Sequence, residues 1–207
     1  MISTRPHQPQ QAPHRTGSER TTATIVLLLV CAASALASPA PSAFPVVGTR
    51  APDFTLTDQL DHRVQLSQFH GKLILLNFIY AHCVDVCPIV TANLVKVQRA
   101  LIARGWWGKD VVFLSVTTDP VRDLPSVLRK YAEARGADSG SWHFLTGDVA
   151  AVRRVHKLYG ITVQAATMGL QEHPLPTFVI DRKGVVLGAY GVALNPQDVV
   201  HDLEQLR

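Results

Sequence analysis

No dense run of lysine or arginine occurs anywhere in this chain of 207 residues. The formal net charge is only +4, and residues 1–37 supply half of it through Arg5, Arg15 and Arg20 against Glu19. A body so nearly balanced lacks the clustered cations that phosphate backbones require, which excludes nucleic acid as a partner. Internal repeats and low-complexity tracts are also missing from the body. Cysteine is scarce: Cys31 lies in an N-terminal apolar run, and Cys83 and Cys87 are the only two thiols beyond it. What remains is ordinary for a globular protein, 47% hydrophobic and 17% charged. That composition suits one core-forming domain plus a targeting segment.

The N-terminus reads as an export segment. After a polar stretch comes "ATIVLLLVCAASALA" (Ala23–Ala37), uncharged and ending in Ala35-Leu36-Ala37. A short apolar core followed by an A-x-A pattern is the mark of a signal peptide. The run falls short of the about 20 apolar residues that a spanning helix needs. The uncharged stretch nevertheless continues to Thr49, so an uncleaved membrane anchor stays open beside cleavage. Val30 is bulky where a lipoprotein cleavage site before Cys31 wants a small residue, and no adjacent arginine pair marks the twin-arginine route. Residues 1–37 are therefore expected to be a signal or anchor, 38–45 ("SPAPSAFP") a linker, and 46–207 the working domain. The expected location is outside the cytoplasm, periplasmic or anchored in the inner membrane.

Along the body, strands alternate with helices. "DFTLTDQLDHRVQL" (Asp53–Leu66) holds two short alternating runs about a polar turn, a hairpin. "KLILLNFIY" (Lys72–Tyr80) and "DVVFLSV" (Asp110–Val116) are near-continuous apolar runs, as in strands buried on both faces. Pro88 suits a first helical position, and apolar residues at 90, 94, 97 and 101 follow at helical spacing until Gly105. Further helices are predicted over Leu124–Arg135, Val149–Leu158 and Pro196–Leu206. "WHFLTG" (Trp142–Gly147) reads as an edge strand. "TFVID" and "VVLGAY" form a hairpin about Arg182-Lys183-Gly184. This order predicts an α/β fold: a mixed central sheet flanked by helices, preceded by an N-terminal hairpin.

Cys83 and Cys87 fall between a buried strand and the following helix, where a sheet of this type presents its chemistry. The free amide hydrogens and partial positive charge of a helix N-terminus favour thiolate over thiol. Three roles fit: a structural disulfide, a redox-active pair, or two soft metal ligands. A bridge closing so small a loop restrains few residues and stabilises little.

"YAHCVDVCP", "TTDPVRDLPSVLRKYA" and "EHPLPTFVIDRKG", in that order, resemble the Sco/SenC family of thioredoxin-fold copper proteins. Cys83, Asp85, Cys87 and Pro88 match the family's Cys-x-x-x-Cys-Pro block. Asp119, Pro120, Arg122 and Asp123 match the second block, and His173, eight residues before Asp181, the third. The resemblance covers about four-fifths of the chain, from Phe44 onward. It implies a thioredoxin-like domain whose copper ligands are Cys83, Cys87 and His173, a soft to borderline set suited to Cu(I) and tolerant of Cu(II). It also implies a metallochaperone that delivers copper to the dinuclear copper site of cytochrome c oxidase subunit II, or keeps that site's cysteines reduced. Its partners would be that subunit or another exported copper protein, together with an upstream copper donor. Asp85 and Asp119 are candidates for support behind the ligands, since a hard carboxylate ranks low for Cu(I).

This chain departs from the family pattern in places. Val84 stands where a proline is common, and Pro176 resembles the cis-proline that thioredoxins set opposite their cysteines. The alternative reading is a thiol–disulfide oxidoreductase using Cys83 and Cys87 without stable copper; a redox-sensing interaction protein is a third class. His82 either tunes Cys83 or is an exposed loop residue, and Met168 reads as a loop or packing residue. His62, His70, His143, His156 and His201 form no ligand spacing and read as surface or interface groups. "GWWG" (Gly105–Gly108) is a turn packing on the core or an apolar contact for a partner.

Overall fold

A computed structural model of the chain describes residues 47–138, 140–165, 171–172 and 176–207. The alternation in Asp53–Leu66 forms strands β1 (Thr55–Thr57) and β2 (Arg63–Gln65), paired antiparallel. Asp58 closes their turn, its Oδ1 accepting the N–H groups of Leu60 and His62, each at 2.9 Å. A single 3-10 turn, Leu66–Phe69, then tucks Leu66 and Phe69 into the core.

The apolar runs become β3 (Leu73–Ile79) and β4 (Val111–Thr117), every residue of each buried. Between them lies α1 (Val86–Ala103), followed later by α2 (Pro125–Arg135), β5 (Trp142–Leu145) and α3 (Val149–Leu158). Two-residue strands β6 (Gln164–Ala165) and β7 (Gln171–Glu172) pair antiparallel, and β8 (Thr177–Ile180), β9 (Val186–Tyr190) and α4 (Pro196–Gln205) complete the chain. The main sheet has the order β5-β4-β3-β8-β9. Strands β3, β4 and β5 run parallel, with β8 antiparallel to β3 and β9 antiparallel to β8. The mixed sheet is as the sequence predicts, with β5 at its edge.

Alternation along β3 shows why its sequence is apolar at every position but Asn77. Leu73, Leu75 and Ile79 join one core with Val90, Leu94, Val97 and Leu101 of α1 and Val199 and Leu203 of α4. Ile74, Leu76 and Phe78 face the opposite core with Val152 and Val155 of α3 and Leu56 and Val64 of the hairpin. A strand covered on both sides has no polar face to present. The paired tryptophans resolve as a core-packed turn. Trp107 meets Phe113 edge-on at 4.8 Å, and Trp106 lies under the Arg207 guanidinium at 4.5 Å.

Three features differ from the sequence reading. Helix α1 begins at Val86, so Pro88 is its third residue rather than its first. The first four helical N–H groups have no intrahelical acceptor, so a proline anywhere in that turn costs no helix hydrogen bond. His156 is no surface group: it is buried, its Nε2 2.9 Å from the Thr117 carbonyl oxygen. The β6–β7 ribbon escaped notice because two-residue strands carry too short an alternation to register. The expected export segment (1–37) and linker (38–45), together with Met168 and His173, lie outside the described residues.

Candidate metal centre

Parallel pairing of β3 with β4 sets Ile79 opposite Thr117, so the loops leaving these strands run side by side. The Thr118 N–H donates to the Ile79 carbonyl at 2.7 Å and ties them at their base. The first loop, Tyr80–Asp85, carries Cys83 to the start of α1, and Cys87 is the second residue of that helix.

Cys83, Cys87 and Tyr80 form a small buried cluster with Val86 packed against it. Both cysteines are free thiols. Cys83 is turned inward by its own N–H, which donates to the Tyr80 carbonyl at 3.2 Å. Its sulfur then accepts the Cys87 N–H at 3.4 Å. Asp85 occupies the cap position of α1 but makes no side-chain cap bond. The Cys83 sulfur thus meets one of the free amides that a capping oxygen would otherwise satisfy.

This arrangement splits the two thiols. The Cys87 thiol donates to Cys83, and the N–H groups of Asp85 and Cys87 with the Tyr80 hydroxyl add to it, outweighing burial. Together they lower the Cys83 pKa to about 5. Cys87 moves the other way, because it is the donor to that sulfur and is deeply buried. At neutral pH the pair is one thiolate, Cys83, and one thiol, Cys87, hydrogen-bonded to it. A buried thiolate ready-made beside a second sulfur is the soft donor set that Cu(I) prefers, and equally the nucleophile that disulfide exchange needs.

Asp85 is exposed and contributes its backbone amide to Cys83. Asp119 is buried in the neighbouring loop, its carboxylate engaged by the Arg122 guanidinium and backbone. His82 is half-exposed, with Nδ1 3.9 Å from Oδ1 of Asp123. Asp123 is fully buried, and its Oδ2 accepts both the Ala81 N–H at 3.0 Å and the Thr117 hydroxyl at 2.6 Å. Burial lifts its carboxyl above the ordinary carboxylate range, against the lowering effect of those two bonds.

Two participants escaped the sequence reading, and a third, Asp123, was named there without its role. Tyr80 reads as the last residue of a strand, and only its contact with Cys83 reveals its role. Tyr131 on α2 is buried, bonds Thr91 of α1 at 2.9 Å, and is pushed up to about 12 by burial, the Cys83 and Cys87 charges adding to the rise. Asp123 was legible as part of "RDLP", but nothing in one sequence distinguishes a buried carboxylate there from a helix-start residue.

A mixed sheet between helices, with two thiols at the junction of its central strand and a helix, defines a thioredoxin-like protein of the paired-cysteine kind. Residues 47–207 match the family model described as SCO1/SenC, and the chain belongs to that family. Among curated relatives, the SCO1 protein homolog of Bacillus subtilis is 31% identical over 126 residues, 61% of this chain and 61% of that one. The chain spans about six-tenths of the length of such curated relatives. Among solved structures, Bradyrhizobium japonicum ScoI with copper bound superposes with a TM-score of 0.67 at 25% identity, covering 77% of this chain and all of that one (100%). BsSco, described with a disulfide switch and as a member of the Sco family of cytochrome c oxidase assembly proteins, gives a TM-score of 0.66 at 25% identity. That match covers 79% of this chain and 96% of BsSco.

Proposed function

We propose that this protein is a copper metallochaperone of the Sco type. Cys83, Cys87 and His173 hold the copper as cargo, and its destination is the dinuclear copper site of cytochrome c oxidase or another exported copper protein. The observation that carries this reading is the sulfur pair at the start of α1, one member already a thiolate. The family membership of residues 47–207 and the copper-bound ScoI structure support it. Two sulfurs and one imidazole leave the metal open to a competing ligand, unlike the closed four-ligand cages of structural zinc. A carrier that must release its cargo needs that incompleteness. An upstream donor would load the site, and the partner's own thiols would unload it.

Residues 1–37 act in this reading as the export signal or anchor, 38–45 as linker and 46–207 as the copper domain, placed outside the cytoplasm. The apolar run ending in Ala35-Leu36-Ala37 supports that arrangement. Copper stoichiometry tests the function: the purified, reduced protein should retain one copper per chain through gel filtration.

A second reading has its own observation. The asymmetry between a thiolate Cys83 and a protonated Cys87 is what a thiol–disulfide oxidoreductase uses, Cys83 attacking and Cys87 resolving. The disulfide switch described for BsSco supports it. A reduced protein that holds no copper yet reduces a partner disulfide at a catalytic rate would favour this alternative.

A further inference from the structure

We propose that Asp123 is the positioning residue of the thiol loop, fixing Ala81 and His82 so that Cys83 meets the first turn of α1 before any metal or partner arrives. A carboxylate removed from water is costly unless the site repays it with hydrogen bonds, and Asp123 is 0% exposed. Its two oxygens are used very differently. Oδ2 accepts the Ala81 N–H and the Thr117 hydroxyl, which joins the end of β4 to the residue two before Cys83. Oδ1 has no hydrogen-bond partner among the described residues and faces the His82 imidazole at 3.9 Å.

Val84 and Asp85 are exposed, and the one other described backbone bond between the two loops, Thr118 to Ile79, lies below them at the strand ends. Beyond Ile79 the chain must reverse and enter a helix at Val86 within six residues. Cys83 holds its place through its turn onto Tyr80 and through the Cys87 amide. Both contacts require Ala81 to stay where Asp123 holds it. A site whose sulfur is placed in advance need not spend binding energy on ordering the loop. The consequence for copper rests on the function proposed above; the anchoring of the loop does not.

The test uses four variants of the full chain. Asp123→Ala removes the anchor. Asp123→Asn keeps an oxygen able to accept from Ala81 and Thr117 but removes the charge. Leu203→Ala, in the α4 core away from the loop, lowers stability without touching the site. Thr117→Val deletes the hydroxyl that orients the carboxylate. Amide hydrogen exchange is followed for residues 80–87 in the reduced, metal-free proteins, and Cu(I) affinity is measured by competition with a chelator.

Asp123→Ala is expected to exchange at least about tenfold faster in this segment and to bind Cu(I) at least about tenfold more weakly. Asp123→Asn and Leu203→Ala should stay within about threefold of wild type in both readouts. Exchange unchanged in a folded Asp123→Ala would overturn the proposal, as would equal losses in Asp123→Asn and Asp123→Ala. If Asp123→Ala does not fold, Thr117→Val decides: accelerated exchange confined to residues 80–87 supports the anchor, and an unchanged segment overturns it. Because the exchange readout contains no copper, a wild type that fails to bind copper defeats the chaperone reading alone.

Discussion

The backbone N–H of Cys87 donates to the sulfur of Cys83 at 3.4 Å, so the first cysteine accepts from the helix that carries the second. The contact makes the pair unequal. Cys83 receives the Cys87 thiol and the amides of the helix start, while Cys87 is the buried donor. Each chemistry open to this site begins from that inequality.

Its direct consequence is a thiol that reacts in mild acid. The Cys83 pKa lies near 5 against an ordinary 9.0, so its alkylation by iodoacetamide should hold level from about pH 8 to 6.5 and fall by half near pH 5. The stability linkage has a definite sign. A folded value below the unfolded one contributes stability that is full above about pH 9 and is lost as the pH falls through 5. Cys87, shifted upward, works in the opposite sense above about pH 9. Urea unfolding of the reduced protein should therefore show this contribution rising between pH 5 and 9. An alkylation midpoint near pH 9 would contradict the assignment of the thiolate.

Ligand variants should separate by oxidation state. Cys83→Ser or Cys87→Ser removes a soft donor, and each should weaken Cu(I) binding by orders of magnitude. His173→Ala should damage Cu(II) binding more than Cu(I), since two thiolates suffice for a two-coordinate Cu(I). Chelator competition in both oxidation states checks this; equal losses for His173→Ala would remove the imidazole from the set.

Copper and a Cys83–Cys87 disulfide should exclude one another. Oxidation of the pair, one thiolate and one thiol, releases two electrons and one proton to form one S–S bond, and neither sulfur is then available as a thiolate ligand. One imidazole, His173, would hold copper only weakly, so the apo-protein in an oxidising compartment is expected to need reduction before loading. The bridged protein, confirmed by mass, should bind neither Cu(I) nor Cu(II) stoichiometrically under non-reducing conditions. Tight binding by that form would show that the thiols are not the ligands.

Much of the framework was legible because its signals are local. The near-continuous apolar runs at Leu73–Ile79 and Val111–Thr117, broken by Asn77 in the first and by Ser115 and Thr117 in the second, admit few alternatives to buried strands, and the spacing of Val90, Leu94, Val97 and Leu101 points to a helix. Of the candidate site, the place of the two cysteines between a buried strand and a helix was legible from the sequence. Its supports were not. Asp123 lies 42 residues from Ala81 in sequence, and their contact exists only because β3 and β4 pair in parallel. His156 has the same origin: its burial follows from α3 docking beneath the end of β4, which no local pattern announces. Pro88 misled by two residues because a proline is tolerated throughout the first helical turn.

Export should follow from the N-terminal run. Fractionation of cells expressing the full chain is expected to find the cysteine domain outside the cytoplasm, in the membrane or the periplasmic space. Folded protein confined to the cytosol would overturn this and weaken the delivery role.

The most direct test of a two-thiolate copper site is X-ray absorption at the copper edge of the reduced, copper-loaded protein. The expected spectrum has two sulfur scatterers at about 2.3 Å, taking zinc–thiolate bonds as the guide, with at least one nitrogen beside them. Both sulfurs should be lost in the Cys83→Ser, Cys87→Ser double variant. A spectrum of nitrogen and oxygen alone, with no copper–sulfur scattering, would contradict the assignment of Cys83 and Cys87 as the copper ligands.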